Sequence, residues 1–189
     1  MRVAWGLFVS GAALVACSGA TTTLGGGGGG GATVTGTFGG TPFGVVDQIG
    51  YSGTQVINGT NVAYVGVVIT NVAGTCALLH RQGNPPSAQS LSIAAGAAGT
   101  TIGSGTYVIA AQGTQTATAI YAQTDATCMG KVDSQASSGT VTITAITSGS
   151  VVGSFDLDFP TGDHLSGTFS APTCDYDPFA TYTPGACGS

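Results

Sequence analysis

Glutamate is absent from this chain of 189 residues, Lys and Arg together number three, and all eight acidic residues are aspartate. Charged side chains make up only 6%, too few for the ion-pair ladders that support solvent-exposed helices. Lys, Leu and Met are also scarce while Thr, Val and Gly abound, a balance that disfavours helices and favours strands. A formal charge of −5 with no cluster of Lys and Arg speaks against nucleic acid and anionic lipid headgroups as partners. The sequence holds no Cys-x-x-Cys, no haem-attachment motif and no local Cys/His cluster, so no metal and no cofactor are expected. A Gly-x-Ser-x-Gly elbow is missing as well. The N-terminal apolar run, Val3 to Ala13, is far shorter than the ~20 residues of a membrane-spanning helix. Val, Ile and aromatic residues are nonetheless frequent enough to build a core, which sets the chain apart from disordered compositions.

What is present at the N-terminus reads as an address. Met1-Arg2 supplies a positive start, the short apolar run follows, and small residues lead into Leu14-Val15-Ala16-Cys17. This ending resembles the lipobox of bacterial lipoproteins. The resemblance implies that residues 1–16 are a signal peptide cut after Ala16. It further implies that Cys17 carries a diacylglyceryl thioether and an acylated amino group. Two or three acyl chains anchor stably where a single one would not. Ser18, where an Asp would be similar to an inner-membrane retention signal, favours the outer membrane over the inner. The closing run, from Gly153-Ser154-Phe155 through Gly167-Thr168-Phe169 to Cys174, is similar to the C-terminal hairpins of small uncharacterised β-rich surface lipoproteins. That likeness covers about forty residues, consists of sheet and turn chemistry, and transfers no catalytic residue.

Removing residues 1–16 leaves 173 residues, enough for one domain with its own core. Residues 17–32 comprise Cys17 and a tether dominated by seven consecutive glycines, Gly25 to Gly31. The run lacks the Lys-Ser/Thr ending of a phosphate-binding loop and behaves as flexible coil. A single β-domain is expected over 33–189, as a monomer. Beyond Cys17, four cysteines remain in an oxidising compartment, which predicts two disulfides with three possible connectivities. Cys76–Cys128 with Cys174–Cys187 is the pairing expected, the second closing a short tail loop.

From Thr33 onward the chain reads as short strands. Odd positions carry Val141, Ile143 and Ala145, then Phe155, Leu157 and Phe159, then Leu165, Phe169 and Ala171; Thr, Ser and Asp take the even positions. Such alternation marks strands with one buried and one wet face. Gly-Thr/Ser followed by Phe or Val recurs with glycines at 139, 153 and 167, the length of one strand plus one turn. Turns at 148–150 and 162–164 predict Ile143 opposite Phe155, Gly139 opposite Phe159, and Phe159 opposite Gly167. Phe159 would then cover two strand glycines. A further hairpin is expected between Tyr107, Ile109 and Ala111 and the residues Ala117, Ala119 and Tyr121. Val62 to Thr70, apolar almost throughout, predicts a central strand buried on both faces. Cys76 to Arg81 predicts one helical turn, and Asn58-Gly59 a tight turn. The expectation is an all-β fold: an antiparallel meander of eight to ten strands forming a sandwich, with a closed or partly open barrel as the alternative.

Chemistry-bearing residues are few. Asp156, Asp158, Asp163 and His164 gather around one hairpin, with Asp175 and Asp177 just beyond. Asp156, Asp158 and Asp163 form a weak candidate for calcium, lacking any EF-hand loop. With His164 they form a weak hydrolase candidate, since paired carboxylates need a cleft between them. Every strong signal is architectural, so the expected function is non-enzymatic: a tethered envelope module with a structural role, or one binding a surface glycan or an envelope protein. A small-molecule or lipid carrier with a cavity inside a barrel is the alternative.

Overall fold

The structure, a computed structural model, describes residues 31–81, 83–109 and 113–178. Among them the order is β1 (Thr33–Phe38), β2 (Thr41–Pro42), β3 (Asp47–Ile57), β4 (Thr60–Thr70), α1 (Thr75–Arg81), β5 (Gln89–Ala98), β6 (Gly105–Val108), β7 (Gln115–Thr124), β8 (Gly130–Gln135), β9 (Ser138–Ile146), β10 (Ser150–Asp158) and β11 (His164–Pro172). They form two antiparallel sheets, β2-β1-β11-β10-β9-β6 and β3-β4-β5-β7-β8, packed face to face as a β-sandwich. The all-β expectation holds, and the barrel alternative gives way to two open sheets. Among the described residues the strands number eleven, and the meander is interrupted where β11 joins β1, β9 joins β6 and β5 joins β7.

The period-two reading places the core correctly. Val141, Ile143, Phe155, Leu157, Phe159, Leu165, Phe169 and Ala171 are all buried, and only Ala145 of the expected set is partly exposed. They meet Val65, Val67, Ile69, Leu91, Ile93 and Tyr121 from the other sheet. Each large side chain buried this way contributes about 1.5–3 kcal/mol. Phe38 stacks on Tyr121 with ring centroids 4.0 Å apart, and burial pushes the Tyr121 phenol up to about 12. β4 is the expected central strand, buried without interruption from Tyr64 to Thr70. Its outer face is covered by α1 and the segment after β11, through Ile49, Tyr51, Tyr64, Val68 and Cys174. Asn58 and Gly59, at φ 50° and 78°, make the tight β3–β4 turn that their sequence predicts.

The pairings differ from those expected. Ile143 lies opposite Gly153, and Phe155 opposite Val141, two positions from the expected pairing: the turn closed between Thr147 and Ser150 accounts for one, and a bulge between Val152 and Gly153 for the other. Leu157 lies opposite Leu165, four positions from the expected pairing, because the β10–β11 connection begins at Phe159. Phe159 therefore sits past the end of β10, edge-on to Phe38 at 5.0 Å, and covers neither Gly139 nor Gly167. The covering of strand glycines is real but reciprocal. Phe155 faces Gly167 and Phe169 faces Gly153 on β10 and β11, while Tyr51 faces Gly66 and Tyr64 faces Gly53 on β3 and β4. In each hairpin two rings lie flat over two glycines, which explains the recurring Gly-Ser/Thr-Phe motif.

The expected hairpin at 107–121 does not form. β6 pairs with β9 and β7 with β5 and β8, and Tyr107 meets Ala119 and Tyr121 within the core between the sheets; Ile109 touches Ala117 only through an isolated parallel bridge, not an antiparallel hairpin. Two inward-facing strands produce the same alternation whether they lie side by side or in opposite sheets.

The disulfide expectation is also corrected. Cys76 is bonded to Cys174, with Cα atoms 5.8 Å apart. The Cys174 N–H donates to the Gly50 carbonyl at 2.7 Å, which lays the chain after β11 along the β3 edge and directly beneath α1. Cys128 lies between β7 and β8, at the opposite edge of that sheet, and Cys76 is already committed to Cys174. It is itself disulfide-bonded. Cys187 lies outside the described residues, as do Cys17, the apolar start and the tether up to Gly30.

Candidate functional site

Strand register brings Asp156, Asp158 and His164 together on the outer face of the first sheet. Asp158 lies directly opposite His164, and Asp156 is two residues along the same face. His164 Nδ1 is 2.9 Å from Asp158 Oδ1, and Nε2 is 3.6 Å from Asp156 Oδ2. The imidazole thus lies between the two carboxylates with one nitrogen toward each. This geometry is poor for calcium, because the ring occupies the space where an ion would have to sit. Asp163 does not join them: its carboxylate accepts from the Gly39 N–H at 3.0 Å and from Thr161 Oγ1 at 2.7 Å, pinning the β10–β11 turn to β1.

Ser138 is the hydroxyl beside this group, and it does not stand in the order of a serine nucleophile and its base. Ser138 Oγ donates to Asp158 Oδ2 at 3.1 Å, so the carboxylate stands between serine and histidine. A nucleophile needs the base beside it, and here the imidazole does not reach the hydroxyl. The acids lie on an exposed sheet surface, the side chains of Asp156 and Asp158 being 63% and 56% exposed.

Hydrogen bonds from His164 and then Ser138 hold the Asp158 carboxyl below its ordinary 3.8. A depressed carboxyl stabilises the fold at pH values above 3.8, and that contribution is lost as pH falls through the lowered value. Asp158→Asn should therefore shift the urea midpoint slightly downward at pH 7, with wild type and variant converging as pH drops below about 4. A difference that persisted unchanged into acid would assign the effect to packing instead.

The remainder of this face is a lattice of hydroxyls. One row crosses five strands in register: Thr106, Thr142, Ser154, Thr168 and Thr33. Neighbours along it are hydrogen-bonded, Thr106 to Thr142 at 3.0 Å and Thr33 to Thr168 at 2.9 Å. The next row holds Thr140, Asp156, Ser166 and Thr35.

Between the sheets, a gap lined by Val65, Ile93, Ala95, Val141 and Phe169 has no room for a water molecule. A groove of about 170 Å³ lies on the other side of the second sheet, between α1, the loop at 83–85 and strands β4, β5 and β7. Val68, Leu79, Pro85, Ser90 and Ala122 line it. Its volume falls short of the ~300 Å³ at which small-molecule pockets begin.

Sequence reading missed one grouping. Cys76, His80 and Cys174 place their two sulfurs and a ring nitrogen within 4.8 Å of one another. The Asp47 carboxylate accepts the Thr75 N–H at 2.8 Å, and Thr75 Oγ1 bonds Thr70 Oγ1 at 2.7 Å, which fixes the start of α1 and thereby Cys76. His80 follows four residues later on the same helical face. That i, i+4 spacing was visible in the sequence; the third member comes from the tail, 98 residues from Cys76, and only the fold supplies it.

Among known proteins, no family model matches the chain, and no curated protein or solved structure matches it.

Proposed function

We propose that this chain is a lipid-anchored, non-enzymatic envelope module whose open hydroxyl face receives a hydrated partner, a surface glycan in the first instance. The observation that carries the reading is the row Thr106–Thr142–Ser154–Thr168–Thr33, a polar, cation-free strip across five strands. Hydroxyls at strand spacing can exchange hydrogen bonds with sugar hydroxyls without the cost of burying a charge. The filled inter-sheet core weighs against the carrier alternative; His164 filling the space between Asp156 and Asp158, with Asp163 turned to Gly39 and Thr161, weighs against the hydrolase. The anchor rests on Leu14-Val15-Ala16-Cys17 and on the glycine run that ends at Gly31, two residues before β1 begins.

Cys17→Ala should yield a precursor neither cut after Ala16 nor labelled by a fatty-acid probe, whereas the wild type is both. Normal processing of the variant would overturn the anchor. The acylated wild type in detergent should be retained on immobilised envelope polysaccharide, and Thr142→Lys should lower retention severalfold. Equal retention of the two would remove the face from the reading.

A further inference from the structure

We infer that Cys76, His80 and Cys174 form a zinc site whenever the Cys76–Cys174 disulfide is reduced, so that one position in the fold alternates between a covalent staple and a three-ligand metal centre. In the oxidised chain His80 Nε2 already lies 3.8 Å from Cys174 Sγ. Tetrahedral zinc with Zn–S near 2.3 Å and Zn–N near 2.0–2.1 Å requires ligand-to-ligand edges of about 3.5–3.8 Å. The His80–Cys174 edge is therefore in place before any metal arrives. The missing edge is between the two sulfurs, which must part to about 3.8 Å. With Cα atoms 5.8 Å apart, rotation of the two cysteine side chains can open it while the backbone stays where it is.

The scaffold around these residues keeps its own supports when the bond opens. The start of α1 is held by Asp47 and Thr70, and the tail by the hydrogen bond from the Cys174 N–H to Gly50. Cys174 is buried among Ile49, Tyr51, Tyr64 and Val68, so one side of the centre is shielded from water. His80 is exposed, so metal can enter from solvent. Three protein ligands leave the fourth tetrahedral position to water, and two thiolates with an imidazole suit zinc better than any hard cation.

Opening the site takes two electrons. A water-soluble phosphine supplies them: its lone pair breaks the S–S bond, water provides one proton to each sulfur, and water's oxygen leaves as phosphine oxide. Zinc then displaces both thiol protons to solvent, and neutral His80 binds through Nε2.

The test uses the full acylated chain in detergent, reduced with phosphine and titrated with Co(II) as a spectroscopic substitute for zinc. The reduced protein should bind one Co(II) at this site with thiolate-to-metal charge-transfer absorption, which Zn(II) then abolishes; the oxidised protein should show none. His80→Ala, at an exposed position, should weaken binding at least tenfold, and Cys174→Ser should remove the charge-transfer band. Cys128→Ser should leave the spectrum unchanged, separating this centre from the other cysteines. Absence of the band in the reduced wild type, equal affinity in His80→Ala, or loss of the strand circular-dichroism signal on reduction would each overturn the inference.

Discussion

Cys76→Ser should lower the stability of the oxidised protein by about 4 kcal/mol, the largest effect expected of any cysteine whose partner is described. The bond closes a loop of 98 residues, and constraint of the unfolded chain scales with the logarithm of that length. It also ties α1 and the chain after β11 over the outer face of β4, where Tyr51 and Val68 would otherwise meet water. Cys174→Ser should cost the same within about 0.5 kcal/mol, and the double variant no more than either single, because the two act as one bond. Cys76→Ser with Cys128→Ser should instead be close to additive. Denaturant midpoints without reductant decide the matter: full non-additivity between Cys76 and Cys128 would restore the pairing read from sequence.

Gly167→Ala should cost about 3 kcal/mol, a large penalty for a single methyl group. Its Cβ would overlap the Thr33 carbonyl oxygen on β1 and stand 2.9 Å from Phe155 Cζ, so either a strand or a core ring must move. Phe155→Ala, which empties the space over the same glycine, should cost about 3–5 kcal/mol. The double variant should fall short of the sum, since removing the ring relieves part of the overlap and leaves only the backbone contact. Gly96 provides the control. An added Cβ there meets Val62 Cγ1 at 3.6 Å, an ordinary contact, and Gly96→Ala should raise stability by about 0.5 kcal/mol. Equal effects at Gly167 and Gly96 in thermal or urea unfolding would mean that these glycines answer to chain entropy and not to the rings above them.

These two results mark where sequence reading succeeds and where it stops. The buried face of β9, β10 and β11 was legible because side chains alternate with a period of two. From Gly139 to Ile143, and between β10 and β11, the register errors of two and four are even, so side chains kept their faces while partners changed; beyond the bulge the offset is odd, and Ile146 turns toward the core in place of Ala145. The sizes of those errors depend on the turn at 147–150, a bulge at Val152 and a turn starting at Phe159, local backbone events with no hydrophobic signature. Strand partnership was less legible still. Tyr107 and Tyr121 alternate as hairpin neighbours would, yet they meet from opposite sheets, since periodicity reports a face and never a neighbour. In the candidate sites, Asp158 and His164 lie six residues apart across one turn, close enough in sequence to be grouped, and the observed register sets them opposite each other. The cysteine–histidine group was not legible in this way, because its third member arrives from the far end of the chain.

The path of β1 has a mechanical consequence. Thr33 and Gly39 lie at opposite ends of the strand, with Gly39 held at the β10–β11 turn by Asp163. Under the proposed anchor, force enters the domain at Thr33, and its component along the strand loads β1 lengthwise. The five residue pairs that join β1 to β11, Thr33 with Thr168 through Thr37 with His164, have hydrogen bonds perpendicular to that direction. They are loaded together in shear and do not peel one at a time. Strain reaching the domain from its N-terminal side is shared across a ladder backed by β10, while the hydroxyl face beside it keeps its spacing.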